Sequence, residues 1–116
     1  MIIGIGIDVI EVARVRKVIE RTPRFVDRVF TAAELAYSEG KAGRFQHLAA
    51  RFAAKEAFFK AIGRRVGWTD VETVNEESGR PRLVVRSGED FGFTRSHISL
   101  SHVAETAVAI VVLERD

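Results

Sequence analysis

Apolar and polar positions alternate strictly at the start of the chain. Ile3, Ile5, Ile7 and Val9 point one way, while Gly4, Gly6 and Asp8 share the other face with Ile2 and Ile10. That is the period of a β-strand. Its two glycines leave room for another element to approach closely, and Asp8 follows on the same face at the strand's end. Asp8 is also placed to serve as an N-cap for what comes next. The period then changes. Val12, Val15, Val18 and Ile19 recur at helical spacing, and Pro23 is read as the end of that helix. Phe25, Val26, Val29 and Phe30 follow as core contacts in a short turn or helix. Thr31-Ala32-Ala33-Glu34 is a capping-box pattern that opens a further helix through about Ser38.

The longest helical pattern runs from about Phe45 to Ile62, with Gly63 placed to end it. Ala53, Ala57, Ala61, Ala54, Phe58 and Ile62 cover one broad half of its cylinder, and Phe52 and Phe59 add apolar surface to the other. A helix with so few polar positions is expected to run through the protein interior. Glu56 and Lys60 nevertheless stand four residues apart at the edge of the apolar half. One reading is an i,i+4 ion pair on a solvated edge, worth about 0.2–0.5 kcal/mol. The other is a site, because a charge set among Ala and Phe needs a counter-charge, ligand or metal.

Beyond Trp68 the period returns to two, with strands expected at Val71–Val74 and Arg82–Val85 around a turn from Asn75 to Pro81. Gly88 and Gly92 argue against a long helix between Ser87 and Thr94. His97 to Leu100 alternates with Ile98 and Leu100 inward. Ala107 to Leu113 is a nearly continuous apolar strand, as expected for one covered on both faces. The sum is an α+β fold: a small antiparallel sheet packed on one long central helix, in a single domain over residues 1–116.

A length of 116 residues suits one domain with a modest core. The absence of cysteine excludes disulfides and thiolate metal sites. No segment reads as a signal peptide or a membrane span, so a soluble cytoplasmic protein is expected. The formal net charge of +2 conceals an asymmetry. Between Arg14 and Arg28 six basic residues (Arg14, Arg16, Lys17, Arg21, Arg24, Arg28) face only Glu20 and Asp27, a local +4 that leaves the rest at −2. Such a surface suggests an acidic partner. Nucleic acid is one class of acidic partner, but no recognised binding signature or aromatic stacking platform accompanies the charges.

Three chemistries fit parts of the chain. Asp8 and Glu56 are hard oxygen donors suited to Mg²⁺, with Lys60, Arg51 and Arg80 able to hold phosphate oxygens. Ser99 or Ser101 with His102 resembles a nucleophile pair, but adjacent strand residues project to opposite faces and no G-x-S-x-G elbow is present. His97 and His102 are too few for a zinc site, and His102 can equally be a hydrogen-bonded turn histidine. The Gly4-Ile5-Gly6 run lacks the third glycine of a dinucleotide fingerprint.

Three segments together resemble the short bacterial holo-[acyl-carrier-protein] synthases, which are 4′-phosphopantetheinyl transferases. They are Gly4-Ile5-Gly6-Ile7-Asp8-Val9, the specific run from Arg51 to Ala61 (RFAAKEAFFKA), and His97-Ile98-Ser99-Leu100-Ser101-His102. The likeness extends from about Ile2 to Leu113 and includes Asp70–Val74 and Gly79-Arg80-Pro81. It implies Mg²⁺-dependent transfer of 4′-phosphopantetheine from coenzyme A to a serine of acyl carrier protein, for fatty acid biosynthesis, with release of adenosine 3′,5′-bisphosphate. Asp8 and Glu56 would hold the metal, and Lys60 would neutralise phosphate and favour the leaving group. Arg51, Phe52, Gly79, Arg80, Pro81, Ser101 and His102 would line the coenzyme A pocket. Arg14, Arg21, Arg24, Phe25 and Arg28 would take the carrier protein's acidic helix. The serine proton would pass to Glu56 or, preferentially, through a water relay. The resemblance also implies a homotrimer with sites at subunit interfaces. Ile10 stands where longer relatives carry another acid, and Glu89–Phe93 departs from the more helical segment the family would have there.

Overall fold

Helix α4 (Arg44–Ile62) explains the architecture, because ten of its nineteen residues are buried. In the computed structural model, which describes residues 1–116, it is covered on nearly every side. Leu48, Ala49, Ala53, Ala54, Ala57 and Phe58 are all fully buried. Ahead of it come strand β1 (Ile2–Glu11) and helices α1 (Val12–Arg21), α2 (Pro23–Val29) and α3 (Ala32–Ser38). Behind it come β2 (Val71–Asn75), β3 (Pro81–Val85), β4 (Arg95–His102) and β5 (Thr106–Glu114). No helix is long and apolar enough to cross a membrane.

Strands β1, β5 and β4 form one antiparallel sheet in that order, with β5 central as its apolar run requires. The β2–β3 hairpin is a separate two-stranded sheet. Pairing of Gly6 with Val111 and Asp8 with Ala109 places these residues on the face turned towards α4. The glycine face is the buried one, and the packing shows why. A Cβ built on Gly6 would lie 1.8 Å from the carbonyl oxygen of Ala57, and one on Gly4 would lie 2.1 Å from that of Ala61. Strand and helix backbones touch there, at a distance no side chain permits. The isoleucine row is left outside, with Ile5 62%, Ile7 58% and Val9 65% exposed.

One buried ion pair ties three elements together. Lys55 of α4 and Glu34 of α3 are both inaccessible to solvent, with Nζ and Oε1 3.0 Å apart. Lys55 Nζ also donates to the carbonyls of Trp68 and Val71, each at 2.7 Å. Glu34 accepts from the backbone N–H groups of Thr31 and Thr73, both at 3.0 Å. The capping box read at Thr31–Glu34 is present. Its glutamate goes further than a cap, reaching into the core to anchor β2. Burial lowers the pKa of Lys55, and Glu34 opposes that shift. A pair this dry is tolerable because its donors and acceptors are matched.

One local expectation changes and another is met. Pro23 does not merely stop α1; it occupies the first turn of α2, where a missing N–H costs nothing. Residues 87–94 form a loop, with Gly88 and Gly92 at φ +75 and +90. Phe91 and Phe93 from that loop pack edge-on against Phe58, with ring centroids 5.4 and 6.1 Å away. They supply core contacts without a helix.

Candidate active site

Asp8 leaves β1 on the helix-facing side, and Glu56 leaves α4 one turn before Lys60. Both carboxylates line one cleft of about 330 Å³, together with Arg14, Phe25 and Phe52. Their side chains are only 17% and 18% exposed. Burial raises the pKa of Asp8, Lys60 opposes that rise, and the charge of Glu56 adds to it. Burial thus disfavours the charged form of Asp8 in this cleft. A cation between the two acids would relieve that. No group of three or more His, Asp or Glu side chains comes together anywhere in the fold. The donor set therefore suits a hard divalent ion that completes its shell with water or phosphate, and not a caged zinc.

The i,i+4 ion pair between Glu56 and Lys60 does not form. Lys60 Nζ reaches across to β1, donating to the carbonyl of Ile7 at 2.8 Å and approaching Asp8 Oδ1 at 3.4 Å. Glu56 instead meets Arg65, whose Nη1 and Nη2 lie 3.5 and 3.3 Å from its two carboxylate oxygens. Nothing in the local pattern named Arg65, which lies beyond the helix end.

A second cleft of about 170 Å³ opens elsewhere, lined by Tyr37, His47, Arg51, Asn75, Gly79, Pro81 and His102, among others. Arg51 is 2% exposed. Its guanidinium lies 4.2 Å from the Tyr37 ring centroid and is hydrogen-bonded to Asn75 Oδ1. Its Nε has no protein partner. Burial lowers the pKa of His47, reinforced by the charges of Arg51, His102 and Lys41. The rings of His47 and His102 are 5.4 Å apart. Tyr37, His47 and Asn75 were absent from the sequence-based set. The i,i+4 spacing of His47 and Arg51 was the one available signal for them.

The residues assigned by resemblance to coenzyme A are thus divided. Arg51, Gly79, Pro81 and His102 share the second cleft. Phe52 stacks on Trp68 at 5.2 Å and borders the carboxylate cleft. Arg80 lines a separate groove near Arg82 and Ser96. Ser101 pairs with Val108 on the outer face of the sheet, whereas His102 pairs with Ala107 on the inner one. The same parity separates His97 from His102 and disposes of both the two-histidine metal site and the Ser/His nucleophile. Helix geometry accounts for the main division. Arg51 and Glu56 are five residues apart, so their side chains leave α4 about 140° from one another.

Arg14 and Phe25 border the carboxylate cleft, while Arg21, Arg24 and Arg28 are exposed on α1 and α2 beside it. Phe25 is half-buried, with its ring 5.9 Å from that of Phe52. It serves the core and the cleft wall at once.

One buried helix on a small sheet, with paired acids opening onto a basic apron, is an architecture this chain shares with a known class of group-transfer enzyme. A family model described as the 4′-phosphopantetheinyl transferase superfamily matches residues 4–111, and the chain belongs to that superfamily. A holo-[acyl-carrier-protein] synthase of Streptomyces griseus is 46% identical, over 98% of this chain and 99% of its own. The holo-(acyl-carrier-protein) synthase of Bacillus anthracis, solved in complex with CoA (3′,5′-ADP), superimposes with a TM-score of 0.86 at 38% identity, over 100% and 99% of the two chains. That of Neisseria meningitidis gives 0.89 at 30% identity, over 99% and 100%. The chain is an enzyme, a phosphopantetheinyl transferase of the holo-[acyl-carrier-protein] synthase type.

Proposed function

We propose that this enzyme moves 4′-phosphopantetheine from coenzyme A to a serine of apo acyl carrier protein, using Mg²⁺ held by Asp8 and Glu56. The observation that carries the reading is the cleft that these two acids line together with Arg14 and Phe25, with Lys60 against Asp8. The metal's chemistry would be to neutralise pyrophosphate oxygens as charge builds on them. The chain's own groups do the rest. Lys60, fixed by the Ile7 carbonyl, places a positive charge at the edge of the same cleft. The serine Oγ forms a bond to the β-phosphorus as the bond to the nucleotide's bridging oxygen breaks. Adenosine 3′,5′-bisphosphate leaves, and the serine proton passes through a water relay or to Glu56. A role in fatty acid biosynthesis and a cytoplasmic location belong to the same proposal. Intact mass of apo carrier protein after incubation with enzyme, coenzyme A and Mg²⁺ tests it. No phosphopantetheine adduct would refute the reaction.

Arg14, Arg21, Arg24 and Arg28 with Phe25 are proposed to seat the acidic helix of the carrier protein beside the carboxylate cleft. Arg14→Glu with Arg24→Glu should raise the carrier-protein KM by ten-fold or more, on the order of the steering losses seen when a charged patch is reversed. Coenzyme A affinity should fall by much less than the carrier-protein KM rises, since Arg24 lines neither cleft and Arg14 only borders the carboxylate cleft. A collapse of coenzyme A binding in calorimetry would instead assign the patch to the nucleotide.

The homotrimer implied by the resemblance belongs to the same proposal, and two features support self-association with shared sites. The outer face of the β1–β5–β4 sheet carries Ile5, Ile7 and Val9 beside Val112, Ile110 and Val108. A contiguous exposed apolar face of this kind marks an interaction surface. The nucleotide-side residues and the carboxylates also face away from each other within one chain, and a neighbouring copy is proposed to join them. Mixing inactive Glu56→Gln chains with inactive Arg80→Ala/His102→Ala chains should then restore activity at roughly a quarter of the sites, by random pairing. No recovery after subunit exchange would show each site to be built from one chain.

A further inference from the structure

We propose that Arg65 is an exchangeable counter-ion, pairing with Glu56 in the free enzyme and moving to a pyrophosphate oxygen of coenzyme A when a divalent ion claims the carboxylate. The inference rests on the metal reading given above. Three observations carry it. Arg65 is the cation nearest Glu56, since Lys60 is committed to Ile7 and Asp8. The side chain of Arg65 is 68% exposed, while that of Glu56 is 18% exposed, so the guanidinium comes to the carboxylate from the solvent side and is free to leave. Its contacts are loose, at 3.3 and 3.5 Å, and an exposed pair of this kind is easily exchanged.

There is a place for Arg65 to go. A third cleft, of about 370 Å³, shares Glu56 with the carboxylate cleft and is lined by Phe59, Lys60, Gly63, Arg64 and Arg65. Gly63, at φ +80, turns the chain back at the end of α4 and brings both arginines beside its last turn. The C-terminal end of a helix repels anions, so phosphate there needs added positive charge. Arg64 is partly engaged, with Nη2 2.9 Å from Glu89. Arg65 lies near two aromatic faces, its guanidinium carbon 5.7 Å from the Phe59 ring centroid and 5.8 Å from that of Trp68. A planar guanidinium can hold two phosphate oxygens side by side as readily as two carboxylate oxygens.

A group that blocks the metal when free and assists the substrate when displaced has an unusual signature. In Arg65→Gln, Mn²⁺ alone should bind the enzyme more tightly, by about 3- to 10-fold in calorimetry, because its competitor is gone. Coenzyme A at saturating Mg²⁺ should bind more weakly, by about 5- to 20-fold. Arg65→Lys should recover part of the second effect. Both constants within two-fold of wild type would make Arg65 an ordinary surface pair and overturn the proposal. So would a parallel weakening of both, which marks a merely structural contribution. Glu56→Gln separates this from the underlying reading. If Mn²⁺ binds that variant as well as wild type, the metal assignment itself fails and Arg65's role falls with it. If Glu56→Gln loses Mn²⁺ while Arg65→Gln changes nothing, only the Arg65 proposal is lost.

Discussion

Glu56→Gln should yield a folded protein whose turnover is lower by about 100-fold or more, the scale expected for losing metal-based charge stabilisation. The fold should hardly notice. Glu56 makes no contact with the buried Glu34–Lys55 pair, and its protein partner is the exposed Arg65. Exposed pairs are worth roughly 0–1 kcal/mol, so the thermal midpoint should move by no more than a few degrees. The site should notice at once, because Asp8 and Glu56 are its two acids and an amide keeps the shape while removing the charge. Rates come from the mass shift of carrier protein, with circular dichroism as the folding control. Full activity in the variant with Mg²⁺ limiting would refute the metal assignment.

Gly6→Ala should be the most damaging single methyl in the molecule. The added Cβ would meet the Ala57 carbonyl oxygen at 1.8 Å, its carbon at 2.8 Å and the Ala61 nitrogen at 3.0 Å. All three are backbone atoms of a buried helix and cannot rotate away. Either β1 parts from α4, or the fold is lost. The expected cost is about 3 kcal/mol or more, at the upper end for overpacking. Against a total stability of about 5–15 kcal/mol, that leaves a marginal protein. Partial separation would also carry Asp8 away from Glu56, so activity should fall even where the variant stays folded. Gly40→Ala is the control: its φ is +75 but nothing lies within 4 Å of the added atom, and about 1 kcal/mol is expected from the backbone alone. Equal urea midpoints for the two variants would show that strand and helix do not touch at Gly6.

Much of the candidate site was legible because short periods report direction. Alternation in β1 put Gly4, Gly6 and Asp8 on one face, and the Ala-rich run of α4 announced a helix for the interior. Hydrophobicity alone would have buried Ile5 and Ile7. The fold buries the glycines opposite them, since only a face without side chains lets the Ala57 and Ala61 carbonyls come so near. Pairings among long polar side chains were not legible. Lys60 passes over Glu56 for the Ile7 carbonyl, Glu56 takes Arg65, and Glu34 keeps its cap while also meeting Lys55.

The sequence by itself determined the order and kind of the elements, the face from which each acid and base emerges, and the family, because these follow from local periodicity and contiguous motifs. Tertiary structure alone decided which charges meet and how the assigned residues are distributed among separate clefts. A side chain with three or four rotatable bonds takes whatever partner the packing of distant segments brings within reach, and no local pattern encodes that distance.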